Sequence, residues 1–188
     1  MPVLELHLIE GYTSDDKRRL GEALTNTVRY IVPAQPDGIV VMIHEMQADG
    51  YYRGRDTKTP APALPDPAKL VERYLAAMEA RDLDSAQAML GDGFVMQFPG
   101  AAPMTELSEL IEWATPRYRF VKKTIGGIEA MQSEGAAAVV FVRGTLSGEW
   151  PDGSGFSGIR FIDRFEVVGG ALTRQDVWND IAETKAQA

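Results

Sequence analysis

A proline-rich segment in the first half of the chain most constrains how it can fold. Residues 57–67 read TKTPAPALPDP, with four prolines in eleven positions. Proline fixes φ and lacks a backbone donor, so such a segment is an extended spacer rather than part of a helix or sheet. We therefore predict an N-terminal domain over residues 1–56, a linker over 57–66 and a C-terminal domain over 67–188.

The composition excludes several classes of function. The chain has no cysteine, which excludes disulfides, thiolate nucleophiles and cysteine-bound metals, and its net charge of −8 disfavours nucleic acid and anionic membrane surfaces. No apolar run approaches the roughly 18 residues of a membrane span, and the start carries Glu5 and Glu10 instead of a basic leader. We expect a cytoplasmic protein that uses no cofactor.

The N-terminal block reads as a β-α-β unit. The stretch VLELHLI alternates like a strand, and Thr13 or Ser14 can cap a helix over residues 14–31. The apolar stretch IVVMIHE follows as a second strand, which a crossover helix makes parallel to the first. A unit of under 60 residues buries little of its own surface. We therefore expect a homo-oligomer, either a dimer or a hexamer.

Pro2 stands at the start of the first strand. Proline is tolerated at that position, so it has a purely structural explanation. If Met1 is removed, however, Pro2 carries a free secondary amine, which is an aliphatic nitrogen base. The role of Pro2 therefore depends on what surrounds it.

The motifs PVLELHLIEG, TSDDKRRL and VMIHEM make residues 2–55 similar to a 4-oxalocrotonate tautomerase-type subunit. This resemblance implies that the amine of Pro2 acts as general base or acid on an enol or unsaturated keto acid. It also implies two arginines that hold the substrate, but Tyr12 and Val40 occupy their positions. Replacement substrate-binding residues are expected in the segment YYRGR, which is otherwise a solvated loop: Tyr51, Tyr52, Arg53 and Arg55.

The two histidines of the chain, His7 and His44, both lie in this block. His7 is on the strand face opposite Leu4, Leu6 and Leu8. Two histidines without clustered carboxylates do not make a metal site. We predict structural or surface roles for both, and no bound metal.

The C-terminal block reads as helices followed by an antiparallel meander, which indicates an α+β fold. Asp66 and Pro67 begin the first helix. The predicted elements that follow are a helix over 83–90, a strand over 94–98, a helix over 105–115 and strands over 119–131, 136–149, 156–168 and 171–182.

The opening AKLVERYLAAMEARDLDSAQAMLGDGFVMQFPG and the closing GIRFIDRFEVVGGALTRQDVWND give residues 66–182 a further resemblance. They resemble the SnoaL-like branch of the nuclear transport factor 2-like (NTF2-like) superfamily. The resemblance implies a curved sheet wrapped by helices into a cone with a pocket in its mouth. Relatives include isomerases, cyclases, dehydratases and proteins that only bind or dimerise. The expected fold class is therefore α+β: a small β-α-β unit followed by a cone-shaped α+β barrel.

Period-2 spacing suggests which residues line that pocket. Phe161, Asp163 and Phe165 share one face of their strand, and an acid between phenylalanines is a candidate for proton transfer. We predict Asp163 as catalytic and Phe161, Arg143 and Trp178 as substrate-binding. The alternatives are an Asp163–Arg143 ion pair or an exposed strand face.

Three functional hypotheses follow from these observations. The first is a small-molecule tautomerase or isomerase that uses Pro2, with a second ligand pocket in the cone. The second is a non-catalytic protein that binds a small ligand and oligomerises. The third places isomerase, cyclase or dehydratase chemistry in the cone alone.

Overall fold

The chain divides into two compact units, Met1–Ala63 and Leu64–Ala188. The computed structural model describes residues 1–133, 135 and 137–186. The division falls inside the proline-rich segment 57–66. No helix in the described residues is long and apolar enough to cross a membrane.

The N-terminal unit is built on two parallel strands and one helix. Strands β1 (Val3–Ile9) and β2 (Val40–Met46) pair in parallel, with His7 opposite His44. Helix α1 (Ser14–Ile31) connects them and begins at a capping box, in which Thr13 and Asp16 each bond the other's backbone N–H. A hairpin follows, made of β3 (Tyr52–Arg53) and β4 (Asp56–Thr57). The predicted β-α-β unit is confirmed.

Very little of the N-terminal unit is buried. Helix α1 contributes no buried residue, and Ile39 is the single buried hydrophobic side chain among residues 1–63. Near the end of the helix, Tyr30 is 92% exposed and Ile31 is 81% exposed. A two-stranded sheet with one helix has no second layer to enclose a core, so its apolar side chains stay partly in contact with solvent.

The C-terminal unit has a five-stranded curved sheet with helices against it. Its elements are α2 (Pro67–Ala80), α3 (Leu83–Gln87), β5 (Leu90–Gln97), α4 (Leu107–Ala114), β6 (Phe120–Gln132), β7 (Ala138–Glu149), β8 (Gly155–Val168), β9 (Ala171–Asn179) and α5 (Ile181–Ala186). The strand order is β5-β9-β8-β7-β6, with β5 parallel to β9 and the other pairs antiparallel. The predicted α+β class is confirmed.

The core of this unit lies between the helices and the inner face of the sheet. Tyr74 of α2, Met96 of β5 and Phe165 of β8 are all fully buried. The sheet curves where β6 carries a bulge between Ile125 and Gly127. A Cβ on Gly144 of β7 would lie 2.0 Å from the Thr124 carbonyl oxygen, so only glycine allows the close approach of the two strands there.

Three predicted boundaries in this unit are wrong. The helix expected over 83–90 ends at Gln87, and the strand expected over 94–98 begins at Leu90. The strand expected over 171–182 ends at Asn179, because its side-chain oxygen accepts the Ile181 N–H at 3.2 Å and a short helix begins there. Position 136 of the predicted strand 136–149 lies outside the described residues.

Candidate functional site

The C-terminal unit contains a cavity of about 160 Å³ between its helices and its sheet. Its walls are mainly apolar and aromatic, with a few polar side chains among them. The lining residues are Tyr74, Leu75, Met78, Glu79, Arg81, Phe98, Leu110, Ala114, Tyr118, Phe120, Val121, Lys123 and Gln175. An apolar cavity with a few convergent polar groups is the usual form of a small-molecule site.

Four polar side chains form a connected network at one side of this cavity. The Lys123 ammonium is ion-paired with Asp163 and lies over the Phe161 ring, 4.6 Å from its centroid. Gln175 Nε2 lies 3.5 Å from Asp163 Oδ2, and the Tyr74 hydroxyl donates to Gln175 Oε1 at 3.2 Å. Tyr74, Gln175 and Lys123 line the cavity, whereas Asp163 stands behind them.

Asp163 is a fully buried carboxylate with one unsatisfied oxygen. Its exposed fraction is 0%, and Oδ1 has no hydrogen-bond partner among the described residues. A buried charge is costly unless it is paired, and the ammonium of Lys123 provides that pairing. The buried pair therefore fixes the position of the Lys123 head group at the cavity wall.

Burial changes the acidity of the two tyrosines in the cavity. The pKa of Tyr74 is raised, first because its hydroxyl is buried and second because the Asp163 charge opposes ionisation. Burial also raises the pKa of Tyr118, which nearby Arg81 and Arg117 partly offset. Both phenols therefore remain protonated at neutral pH.

The predicted alternatives for Asp163 are wrong. Arg143 does not pair with it, because the Arg143 Nε instead bonds Glu129 Oε1 at 3.3 Å. Nor is the strand face exposed, since Asp163 is buried there. In the sheet, Ile162 stands opposite both Arg143 and Trp178, which places all three on the outer face. Arg143 and Trp178 therefore do not reach the cavity.

Sequence reasoning missed Lys123, Gln175 and Tyr74 as residues of the cavity. Alternation along β6 puts Lys123 on the same face as Val121, which gives a usable signal. Gln175 lies between the outward-facing Arg174 and Asp176, so it must point inward. The pairing of Lys123 with Asp163 joins two strands that are not neighbours, and no local pattern predicts it.

In the N-terminal unit Pro2 is half-buried at the start of the sheet. Its carbonyl accepts the Val40 N–H at 3.0 Å, so the sheet fixes its backbone. With Met1 attached, the Pro2 nitrogen is a tertiary amide and has no basic lone pair. Removal of Met1 would convert it into a secondary amine.

A second cavity, of about 190 Å³, is found in the N-terminal unit. It is lined by His7, Leu8, Ile9, Tyr12, Met46, Tyr51 and Pro60. Tyr12 follows β1, at the opposite end of the strand from Pro2, and seven strand residues span roughly 23 Å. One chain therefore does not bring Pro2 and Tyr12 together.

The other predicted binding residues of this unit are exposed. Tyr52, Arg53 and Arg55 lie in or beside the β3–β4 hairpin and line neither of these two cavities. His7 and His44 stack with their ring centroids 4.9 Å apart. In the described part of the chain, no cluster of three or more His, Asp or Glu side chains is placed to hold a metal ion.

Two family models match the chain, one for each unit. Residues 2–59 match the model described as "Tautomerase enzyme", and residues 71–175 match "SnoaL-like domain". The chain belongs to both families. The tautomerase domain is thus the N-terminal unit, and the SnoaL-like domain is the C-terminal unit.

Relatives of the tautomerase domain are small proteins. The 2-hydroxymuconate tautomerase of Bacillus subtilis is 39% identical over 51 residues, which cover 27% of this chain and 82% of that protein. A protein of Halalkalibacterium halodurans described as a probable tautomerase is 35% identical over 51 residues. These cover 27% of this chain and 84% of that protein. The match is therefore to almost the whole of each relative but to one domain of this chain.

Solved structures similar to the SnoaL-like domain are NTF2-like proteins. One from Burkholderia pseudomallei, of unknown function, has a TM-score of 0.53 at 17% identity, over 63% of this chain and 93% of that one. Another, from Burkholderia thailandensis, has a TM-score of 0.52 at 16% identity. That similarity covers 66% of this chain and 99% of the other. At such low identity these similarities establish the fold alone.

Proposed function

We propose that the tautomerase domain interconverts the enol and keto forms of a small acid, with the Pro2 amine as the proton carrier. The observation that supports this most is the position of Pro2. The family match starts at this residue, and the Val40 N–H holds its carbonyl in the sheet. A proline freed from Met1 would therefore present a rigidly placed amine at the end of the sheet.

The chemistry requires that this amine be neutral at the working pH. A free α-amino group titrates at about 7.7–8.0, and proline's secondary amine is more basic, so burial or nearby cations must lower its pKa. The neutral amine removes a proton from the enol oxygen or the carbon next to the carbonyl. The resulting ammonium then returns a proton to the other atom, and this positioned transfer supplies catalysis.

The β3–β4 hairpin and the residue before it would bind the substrate. Arg53 and Arg55 are exposed cations on a chain with net charge −8, and we propose that they hold the substrate carboxylate from a neighbouring subunit. Tyr51 and Tyr52 would pack against its carbon skeleton. The name of the Bacillus subtilis relative, 2-hydroxymuconate tautomerase, supports an enol acid as the substrate class.

The experiment begins with the intact mass of the purified protein, which must be short by one methionine. Pro2→Ala keeps an amine but makes it primary and more flexible, so conversion of enol phenylpyruvate should slow by about 10²–10⁴-fold. Pro33→Ala, an exposed proline of the same domain, is the matched control and should keep full activity. A retained methionine together with full activity would refute the proposal.

A second candidate places the chemistry in the SnoaL-like domain. The buried Asp163, paired with Lys123 beside an apolar cavity, favours an isomerase, cyclase or dehydratase reaction there. In that case Asp163→Asn abolishes activity and Pro2→Ala does not. If neither variant changes any measured reaction, the alternative of a non-catalytic ligand-binding protein is favoured.

A further inference from the structure

The Lys123 ammonium group has hydrogen-bonding capacity that the protein does not use. An ammonium group has three N–H donors. One binds Asp163, and no other described atom accepts a hydrogen bond from Lys123 Nζ. The side chain is 23% exposed and lines the cavity. Donors are therefore available to a molecule inside the cavity.

We propose that Lys123 binds the carbonyl oxygen of a small, uncharged, planar ketone in this cavity. The proposal deepens that of a second ligand pocket in the SnoaL-like domain. It is independent of the Pro2 amine, because it concerns binding in the other domain. Lys123 is the ligand-binding residue in this account, and Asp163 is a positioning residue behind it.

The charges around the cavity indicate an uncharged ligand. Lys123 is balanced by Asp163, which is fully buried and has no other charged partner among the described residues. Two further lining residues, Glu79 and Arg81, are both exposed and of opposite sign. An anion in the cavity would add a third charge close to the buried carboxylate, where the dielectric is low. A neutral carbonyl accepts a hydrogen bond from Lys123 and adds no charge near the buried carboxylate.

The walls indicate a ring. Beyond the polar network the cavity is bounded by apolar and aromatic side chains, among them Leu75, Phe98, Leu110 and Phe120. Its volume of about 160 Å³ accommodates one ring with a short substituent. The Tyr74 hydroxyl proton is already donated to Gln175, so the donors left on that side of the cavity are the Lys123 ammonium, which carries the charge, and the second N–H of Gln175 Nε2. The ligand class is thus a planar aromatic ketone.

Three probes of similar size test this proposal on the full-length protein. Acetophenone carries a neutral carbonyl, benzoate a charge, and ethylbenzene no oxygen. Titration calorimetry should show acetophenone binding at least about tenfold more tightly than ethylbenzene, because a hydrogen bond from a charged donor supplies that difference. Benzoate should bind more weakly than acetophenone. Failure of acetophenone to bind, or tighter binding of benzoate, overturns the proposal.

Variants then assign the preference to Lys123. Lys123→Met should abolish the preference, so that acetophenone and ethylbenzene bind with about equal affinity. Lys123→Arg should keep part of the preference. The adjacent Lys122 is exposed on the other face of β6, so Lys122→Met is the matched control. Pro2→Ala should leave all three affinities unchanged, whether or not Pro2 is catalytic. A preference that survives Lys123→Met refutes the proposal.

Asp163→Asn tests the positioning role with a readout that simple loss of structure cannot produce. The substitution removes the buried negative charge and leaves the Lys123 ammonium unbalanced. Selectivity should then reverse, with benzoate binding more tightly than acetophenone. Unchanged selectivity in a folded Asp163→Asn protein would show that the charge balance does not set the ligand class.

Discussion

The two domains differ most in how they enclose their side chains. The tautomerase domain has one buried hydrophobic residue among those described, Ile39, whereas the SnoaL-like domain packs side chains such as Tyr74 and Phe165 completely out of solvent. Burial of apolar surface is the main favourable term in folding. We therefore predict that the SnoaL-like domain is stable as a single copy, and that the tautomerase domain gains stability by burying apolar surface against another copy.

The same contrast applies to their candidate sites. In the SnoaL-like domain, Lys123, Gln175 and Tyr74 converge on one cavity within one chain. In the tautomerase domain, Pro2 and Tyr12 lie at opposite ends of β1. The proposed site at Pro2 would thus be open in one chain, and we expect neighbouring copies to complete it.

The largest expected effect is a core truncation in the SnoaL-like domain. Phe165 is fully buried, and Phe165→Ala removes a ring that its neighbours cannot replace. We expect the free energy of unfolding of this domain to fall by about 3–5 kcal/mol. Chemical denaturation should give the same loss at every protein concentration. A loss below about 1 kcal/mol would mean that the core is not packed as described.

The matched truncation in the tautomerase domain should be smaller and should depend on concentration. Leu24 of α1 is only half-buried in one chain, so Leu24→Ala should cost about 1–2 kcal/mol. Because we expect a dimer or hexamer, the melting temperature of this domain should rise with protein concentration. Sedimentation that shows a 20.6 kDa monomer at micromolar concentration would contradict this expectation.

Alkaline pH should destabilise the SnoaL-like domain through Tyr74. Its folded pKa is raised, so its contribution to stability is complete below the unfolded pKa of about 10 and is lost as pH rises above it. Tyr74→Phe should reduce the loss of stability above pH 10, although it also removes the bond to Gln175. Tyr30→Phe is the control, because Tyr30 is exposed. Identical pH dependence in wild type and Tyr74→Phe would contradict the burial of the phenol.

The smallest effect is expected on the outer face of the sheet. Arg143 pairs with Glu129 where both side chains are more than half exposed, and such pairs contribute little. Arg143→Ala should change the free energy of unfolding by less than about 0.5 kcal/mol and should leave ligand binding in the cavity unchanged. Weakened binding would show that Arg143 reaches the ligand after all.

Local signals in the sequence predicted much of the fold. Thr13 and the acidic residues after it predicted the start of α1, and Asp66 with Pro67 predicted the start of α2. The start of β5 could not be predicted this way, because the Gly-Asp-Gly at residues 91–93 is typical of a turn. Pairing with β9 on both sides of that segment, at Leu90 opposite Leu172 and from Val95 opposite Arg174, keeps residues 91–93 within the strand as an irregularity in the register. Tertiary pairing there overrides the local preference.

The candidate site was less predictable than the fold. Asp163 was singled out because phenylalanines flank it at period two, but the one partner considered for it, in the alternative of an ion pair, was Arg143, whereas its partner is Lys123. Alternation of side chains along a strand assigns each residue to one of two faces of the sheet. Deciding which of these faces is the inner one requires knowing which face the helices cover. In the structure Lys123 lies on the inner face of the sheet, at the cavity, and Arg143 lies on the outer face. The chemistry of the cavity therefore depends on non-local contacts that no single stretch of sequence contains.

The central claim is that tautomerisation belongs to the N-terminal domain and is carried by the Pro2 amine. The most direct test measures enol-to-keto conversion of phenylpyruvate by Pro2→Ala and Asp163→Asn side by side, on protein whose mass shows that Met1 is absent. We predict a loss of about 10²–10⁴-fold for Pro2→Ala and none for Asp163→Asn. Full activity in Pro2→Ala with none in Asp163→Asn would contradict the account and place the reaction in the SnoaL-like domain.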